Sequence, residues 1–157
     1  ISAKRIRCHG DYHLGQVLYT GRDFVVIDFE GEPARSISER RLKRSPLRDV
    51  AGMLRSLHYA SVFGLRHGEV VRTDDRPVLE PWARVWYYWV SGGFLKGYLE
   101  AVGEADSLPR TWAGREALLE IFLLEKAAYE LRYEMNNRPD WVRVPIQGLL
   151  DHLAGPQ

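Results

Sequence analysis

Two clusters of potential metal ligands, each next to a short apolar run, constrain this 157-residue chain more than any other feature of its sequence. The first cluster, HGDYHLGQ at residues 9–16, precedes the run VLY, and the second, DFE at residues 28–30, follows the run FVVI. The four residues between the runs, TGRD at 20–23, are typical of a turn. This segment is therefore predicted to form a small β-hairpin.

The predicted hairpin would bring Asp11, Gln16 and Asp28 to one edge of the structure. Phosphoryl transfer needs a carboxylate beside the attacking hydroxyl and further oxygen ligands that hold Mg²⁺ on a triphosphate, because position and charge stabilise its transition state. Mg²⁺ favours carboxylate, amide and water oxygens, which suits Asp28 and Gln16. Asp11 then remains free to act as the base.

The same clusters resemble the motifs of a known superfamily. HGDYHLGQ is similar to the catalytic loop of the aminoglycoside-phosphotransferase-like branch of the protein-kinase fold, and IDFEGEP resembles its metal-binding aspartate motif. Further segments are similar to bacterial maltokinases, which make maltose 1-phosphate either as free enzymes or fused to trehalose synthase. These segments are ERR at residues 39–41, SPLRDVAGMLRS at 45–56, YELRYE at 129–134 and NRPDW at 137–141.

The resemblance implies a fold class and a reaction. The fold would be α+β, the mainly helical C-terminal lobe of a protein-kinase-like enzyme, forming a single domain over residues 1–157. The expected reaction is the phosphorylation of maltose, with ATP and Mg²⁺ as cofactors. Asp11 would be the catalytic base, Gln16 and Asp28 would bind the metal and its nucleotide, and Glu30 would assist as a metal ligand.

The resemblance also assigns supporting and acceptor-binding residues. His9 would brace the catalytic loop, and Asp49 would hold the backbone of that loop. From spacing alone, Asp49 is explained equally well as a favourable negative charge in the first turn of a helix. Six residues match the acceptor lobe of maltokinases: Tyr129, Glu130, Tyr133, Asn137, Arg138 and Trp141. By spacing alone, this stripe would be an ordinary solvated helix face.

Three alternatives stay open. His9, Asp11 and His13 alternate, so in an extended strand they would share one face, as the ligands of a zinc hydrolase do. Gly10 predicts a bend instead, and a zinc site leaves Asp28 without a role. Within the kinase-like fold the acceptor could be an aminoglycoside or choline. A third possibility is a non-catalytic carbohydrate-binding module docked on trehalose synthase.

Composition excludes several functional classes. With 22 basic and 21 acidic residues, the net charge of +1 provides no field that would hold nucleic acid. The single cysteine, Cys8, excludes an internal disulfide and fits a reducing compartment. No apolar run reaches the ~20 residues that span a bilayer, and no signal peptide is recognised, so no membrane partner and a cytoplasmic location are predicted.

The catalytic loop is not preceded by a Gly-rich loop and strand lysine of the kind that grip a nucleotide in kinases. We therefore expect the protein's own N-terminal kinase lobe to be a partner of this chain. Maltose is the expected acceptor, and trehalose synthase, fused or associated, is a further candidate partner.

Helical periodicity predicts four helices. The first follows the N-cap Ser45 and ends near Phe63, and a polar surface loop then spans residues 64–80. The second begins at Pro81 and is dense in aromatic residues, which are predicted to pack in the core. The others cover residues 115–136, with Ala128, Leu131 and Met135 facing the core, and 146–153, ending before Gly155 and Pro156. A short strand at residues 3–9, a charged connector at 34–44 and an extended link between Pro139 and Pro145 complete the prediction.

Overall fold

The computed structural model describes residues 2–67 and 71–154. These residues form the predicted α+β fold, mainly helical with one small antiparallel sheet. The strands are β1 (Val17–Tyr19) and β2 (Phe24–Val26), and the helices are α1 (Ile37–Arg40), α2 (Leu47–His67), α3 (Arg76–Val102), α4 (Trp112–Asn137) and α5 (Arg143–Ala154). Three short 3-10 helices cover Leu14–Gln16, Thr73–Asp75 and Pro139–Trp141.

The two strands form the predicted hairpin. Val17 pairs with Val26 and Tyr19 pairs with Phe24 in antiparallel register. Beyond the strand ends, the backbone N–H of Ile27 donates to the carbonyl of Gln16 at 3.0 Å. This bond continues the pairing up to the residues that flank the two ligand clusters, so the clusters lie at the same end of the hairpin.

Helix α2 is the centre of the lobe and packs against both α3 and α4. Its start is capped by Ser45, whose Oγ accepts the backbone N–H of Leu47 at 3.3 Å. The residues that it buries recur at helical spacing: Leu47, Val50, Ala51, Met53, Leu54 and Leu57. The helix continues to His67 rather than ending near Phe63, and α3 already begins at Arg76. The predicted surface loop is therefore shorter than expected, and its residues 68–70 lie outside the described chain.

Helix α3 exposes much of the aromatic surface that the sequence predicted to be packed. Tyr87 and Phe94 pack against the core as expected. The side chains of Trp82, Trp86 and Trp89 instead expose 67%, 44% and 78% of their surface. The prediction fails for these tryptophans because aromatic residues surround the helix, whereas its described neighbours cover one side of it.

Several helix boundaries differ from the sequence prediction. Pro81 lies inside α3 rather than at its start. The hydroxyl of Thr111 accepts the N–H of Gly114 at 3.2 Å, so α4 is capped there and begins at Trp112. Pro145 lies in the first turn of α5, where a missing N–H is tolerated, and much of the predicted extended link is therefore helical. The predicted end of the last helix at Gly155 and Pro156 falls outside the described residues.

The core stripe of α4 is displaced from its predicted position. Ala127 and Glu134 are buried, with exposed fractions of 0% and 1%, whereas Met135 is 63% exposed and Ala128 faces solvent. Leu131 is half-buried. A carboxylate, that of Glu134, therefore occupies a buried position of α4.

The segments beside the hairpin contain less strand and more helix than predicted. Residues 3–9 form no strand, and their pairing is one isolated bridge between Ile6 and Arg44. The charged connector contains α1, which begins with a reciprocal capping box between Ser36 and Glu39. Across the described ranges, no helix combines the length and apolar character needed to cross a membrane.

Candidate active site

The loop that carries Asp11 is fixed to the first turn of α2. Asp49 accepts the backbone N–H of His9 at 2.6 Å and that of Gly10 at 2.9 Å. Burial raises the pKa of Asp49, although the two backbone donors oppose the shift. Gly10 has a φ of +87°, a conformation that glycine adopts without strain. The loop-holding contact and the favourable position of Asp49 in the first helical turn are therefore compatible explanations of this residue.

Helix α2 also passes very close to the loop at Gly52. A Cβ atom at this position would lie 2.7 Å from the carbonyl oxygen of Tyr12. Any larger residue would therefore push the loop away from the helix, so glycine is needed for this close approach.

His9 joins the loop that carries Asp11 to the segment that carries Asp28. Its Nε2 lies 2.7 Å from the carbonyl oxygen of Ile27, the residue before Asp28. The ring also packs 5.0 Å from the ring of Phe29 and 5.6 Å from that of Tyr12, and the residue is 7% exposed. These contacts place the two clusters side by side and give His9 a bracing position.

Gln16 and Asp28 meet at the end of the hairpin. The amide Nε2 of Gln16 donates to Oδ2 of Asp28 at 3.0 Å. Asp28 has a φ of +62°, an unusual conformation for a residue other than glycine, and strained backbone of this kind concentrates at functional sites. Glu30 is exposed two residues further on. Mg²⁺ usually keeps several waters and phosphate oxygens, so an amide and a carboxylate form a fitting protein donor set for it.

Two basic side chains lie near the carboxylate of Asp11. Its Oδ1 lies 3.7 Å from Nζ of Lys126 in α4, and its Oδ2 lies 3.7 Å from Nε2 of His13. Burial opposes the charge of the carboxylate, but the neighbouring imidazole of His13 and the charge of Lys126 outweigh it and hold the pKa of Asp11 below its ordinary value. The carboxylate is therefore ionised at neutral pH, as a base must be.

Asp11 lines a small cavity together with Glu32, Lys126 and Tyr129. Nζ of Lys126 lies 3.9 Å from Glu32 and 5.2 Å from the centre of the Tyr129 ring. Burial and the neighbouring Glu32 raise the pKa of Tyr129 to about 12, so its hydroxyl stays protonated. The sequence assigned no role to Lys126 or Glu32. A usable signal was present in each case, since Lys126 shares a helix face with the predicted acceptor residues and Glu32 belongs to the IDFEGEP segment.

The six predicted acceptor residues do not form one surface. Tyr129 lines the cavity beside Asp11. The carboxylate of Glu130, one residue later, accepts a hydrogen bond from Nε of Arg55 at 2.8 Å. It also lies 2.8 Å from Nη2 of the same arginine. Arg55 is 2% exposed, so this pair lies inside the lobe. Burial raises the pKa of Glu130 against the opposing effect of Arg55.

A second network surrounds Glu134 and explains its burial. Its carboxylate accepts hydrogen bonds from Nε and Nη2 of Arg138 at 2.9 and 2.7 Å. It also accepts one from the hydroxyl of Tyr59 at 3.1 Å. The ring of Trp141 stacks on Tyr59 with centroids 6.1 Å apart, and the guanidinium of Arg138 lies 5.7 Å from the Trp141 ring. A buried carboxylate with three donors is satisfied, which is why α4 tolerates it.

The two remaining predicted acceptor residues lie on the exposed side of the same network. Tyr133 is 45% exposed and its ring lies 5.5 Å from the guanidinium carbon of Arg138. The side chain of Asn137 donates to the carbonyl of Tyr133 at 2.8 Å. The structure therefore joins Tyr133, Asn137, Arg138 and Trp141 in one network, whereas Tyr129, one helical turn before Tyr133, lines the cavity beside Asp11.

The geometry does not support the zinc alternative. In the described part of the chain, no group of three or more histidine, cysteine, aspartate or glutamate side chains is placed to hold a metal ion. The ring of His9 is directed at Ile27, and Nδ1 of His13 accepts the N–H of Gly15 at 3.0 Å. The two histidines thus bond to the backbone of separate segments.

An ionised aspartate on a braced loop, beside a paired amide and carboxylate, is the equipment of kinase-type phosphotransferases. No protein-family model matches the chain. Comparison with known proteins gives the class more closely: curated proteins and solved structures that this chain resembles include sugar kinases.

Those relatives are glucosamine kinases. The chain is 30% identical over 154 residues to the enzyme from Streptacidiphilus jiangxiensis, covering 94% of the chain and 32% of the relative. It is 31% identical over 147 residues to the one from Mycolicibacterium smegmatis, covering 91% of the chain and 34% of the relative. The similarity supports a sugar-kinase family and does not single out the maltokinases.

Solved structures agree with the sequence comparison. A glucosamine kinase in crystal form A superposes with a TM-score of 0.78 at 26% identity, covering 96% of this chain and 35% of that one. A glucosamine kinase in complex with glucosamine, ADP and inorganic phosphate superposes with a TM-score of 0.76 at 27% identity, covering 93% and 34%. The chain thus spans about a third of the length of the relatives that it matches.

Proposed function

We propose that this chain forms the catalytic and acceptor lobe of an ATP-dependent sugar kinase. The observation that carries the proposal is the contact of Gln16 with Asp28 at the end of the hairpin, next to the braced loop that presents the ionised Asp11. The similarity to glucosamine kinases in both sequence and structure supports it.

In the proposed mechanism, each residue has one task. When bound, Mg²⁺ and ATP would supply the phosphoryl group and neutralise part of its charge. Gln16 and Asp28 are the residues that would hold the metal, with Glu30 as a further carboxylate nearby. Asp11 orients the acceptor hydroxyl and takes its proton as the oxygen attacks.

The surrounding residues keep this base in position and in the correct protonation state. Lys126 and His13 favour the ionised form of Asp11 before transfer. Asp49 fixes the backbone of the two residues that precede Asp11, and the ring of His9 ties this loop to Ile27. A rigid loop matters because a small displacement of the base from the hydroxyl lowers the rate steeply.

Glucosamine is the acceptor that we propose first, because it is the sugar named for the relatives in both comparisons. Maltose is the second candidate, and the segments YELRYE and NRPDW support it. An N-terminal kinase lobe is a proposed partner in either case, and trehalose synthase is one if maltose is the acceptor.

Phosphate transfer from ATP by the complete protein that carries this chain tests the proposal. Purified protein would be assayed with Mg²⁺ and ATP against glucosamine, maltose, glucose and an aminoglycoside. We expect turnover with a sugar, with the highest kcat/KM for glucosamine. A preference for maltose would replace the first acceptor by the second. Turnover with the aminoglycoside alone, or with none of the four compounds, would contradict the sugar-kinase proposal.

A further inference from the structure

A second cavity, of about 440 Å³, lies apart from Asp11. It is lined by residues from the C-terminal half of α2, the N-terminal half of α3 and helix α5. None of its lining residues also lines the cavity of Asp11. A volume of this size is in the range of sites that bind small organic ligands.

The lining of this cavity is strongly basic. Four arginines contribute to it, namely Arg66, Arg76, Arg84 and Arg143. The carboxylates in the lining are those of Glu80 and Asp151, which leaves an excess of two positive charges. Asp151 is already engaged, because it accepts Nε2 of Gln147 at 2.8 Å. The cavity therefore has more guanidinium groups than its own carboxylates can neutralise.

One of these arginines has an unsatisfied donor. Nη2 of Arg76 donates to the carbonyl of Arg66 at 3.0 Å. Nε of Arg76 is buried and has no hydrogen-bond partner in the described structure. A buried donor without an acceptor is unfavourable, and an anionic ligand would supply the missing acceptor.

The cavity also has surfaces suited to the organic part of a ligand. The rings of Tyr87 and Tyr88 lie 5.4 Å apart in its wall, and Tyr88 is 56% exposed. His58 is neutral at physiological pH, because burial and the nearby Arg55 lower its pKa to about 4. A ring face, hydroxyl groups and a neutral imidazole are typical contacts for a polar organic group.

We propose that this cavity binds a phosphorylated small molecule, with the arginines contacting the phosphate and the tyrosines contacting the organic part. The charge of a phosphate monoester at pH 7, about −1.5 to −2, matches the excess of positive charge in the cavity. Guanidinium groups form bidentate hydrogen bonds with phosphate and carboxylate oxygens alike. The excess of two positive charges therefore favours a phosphate over a single carboxylate. This inference does not depend on the proposed kinase activity, since the cavity and the candidate active site share no residue.

Calorimetric titration of the purified protein with glucose 6-phosphate tests the proposal, with inorganic phosphate and unphosphorylated glucose as the comparison probes. The variants Arg84→Gln and Arg143→Gln remove one positive charge each from exposed positions of the lining. Arg132→Gln removes the same charge from an exposed position of α4 outside the cavity. Asp28→Asn alters the candidate metal site alone.

We expect glucose 6-phosphate to bind the unmodified protein and to bind Arg84→Gln and Arg143→Gln about tenfold more weakly, the effect of losing one charge-assisted hydrogen bond. Arg132→Gln and Asp28→Asn should bind as the unmodified protein does, and glucose should not compete. Three results would overturn the proposal: no binding of either phosphate probe, an equal loss in Arg132→Gln, or a loss in Asp28→Asn with retention in Arg84→Gln.

Discussion

The ammonium group of Lys126 lies 3.7 Å from one carboxylate oxygen of Asp11, and the imidazole of His13 lies 3.7 Å from the other. Helix α4 thus contributes a positive charge to a loop that belongs to the other end of the sequence. Because both neighbours favour the ionised carboxylate, they counteract the burial of Asp11 and keep its pKa below the ordinary value.

Replacing Lys126 by methionine is expected to raise the pKa of Asp11, because burial then acts with less opposition. The pKa of Asp11 is depressed in the folded protein, so the base stays ionised as the pH falls until that low pKa is reached. Activity is lost when the carboxylate becomes protonated. In Lys126→Met this loss should begin at a higher pH than in the unmodified protein, which a pH profile of kcat/KM measures. Lys96→Met, in an exposed pair with Glu100, is the matched control. An acidic limb at the same pH in both variants would remove Lys126 from this role.

Replacing Asp11 by asparagine should remove the base without changing the shape of the side chain. We expect kcat to fall by about 10²–10⁴, the usual contribution of a general base, with a modest change in KM. Steady-state kinetics of the complete protein would show this, with Asp74→Asn, an exposed position, as the control. A rate near that of the unmodified protein would mean that another group acts as the base.

Replacing Asp28 by asparagine tests the proposed metal site at little cost to the fold. Asparagine tolerates the left-handed conformation in which Asp28 is held, so the hairpin should persist. We expect the Mg²⁺ concentration for half-maximal activity to rise on the order of 10- to 100-fold, as it does when a metal site loses support. Gln16→Ala should act in the same direction. Glu30→Gln will show the same effect only if Glu30 also binds the metal.

Unchanged Mg²⁺ dependence in both Asp28→Asn and Gln16→Ala would contradict the assignment of the metal site to the end of the hairpin. Far-ultraviolet circular dichroism of each variant controls for loss of structure.

Replacing Asp49 by alanine should destabilise the lobe, because the backbone N–H groups of His9 and Gly10 lose their acceptor. Leaving buried donors unpaired costs about 1–3 kcal/mol. Urea denaturation would measure the loss, and Asp74→Ala is the exposed control. Asp49→Asn keeps one acceptor oxygen, so its stability should lie between those of Asp49→Ala and Asp74→Ala. Equal stability of Asp49→Ala and Asp74→Ala would show that the loop does not depend on this contact.

Replacing Glu134 by alanine should destabilise the protein through the loss of its bonds with Arg138 and Tyr59. The arginine side chain is 51% exposed and can regain water, so we expect about 1–3 kcal/mol rather than the cost of breaking a fully buried pair. Glu120→Ala, at an exposed position of the same helix, is the control in the same denaturation experiment. An effect on sugar KM without an effect on stability would instead indicate that this network contacts the acceptor.

Local features of the fold were predictable from the sequence because they depend on neighbouring residues. The turn between two apolar runs specified the hairpin, and the helical spacing after Ser45 specified α2. The capping box of α1 is equally local, with Ser36 and Glu39 at the required spacing. Gln16 and Asp28 could be paired in advance, since the register of a two-stranded hairpin brings the residues flanking its strands together.

Other features depended on which helix faces meet. Periodicity shows that Lys126, Glu130, Tyr133 and Asn137 follow one another around α4, but it does not show which neighbour each one reaches. Because α2 packs against α4, Lys126 lies beside Asp11 and Glu130 binds Arg55. Neighbouring residues of α4 therefore have different partners. The exposure of the α3 tryptophans and the cavity lined by arginines likewise depend on which helix faces meet. The sequence by itself determined the hairpin, the main helices and the chemistry of the loop. Only the tertiary structure decided the partners of the charged side chains, because those partners lie far apart along the chain.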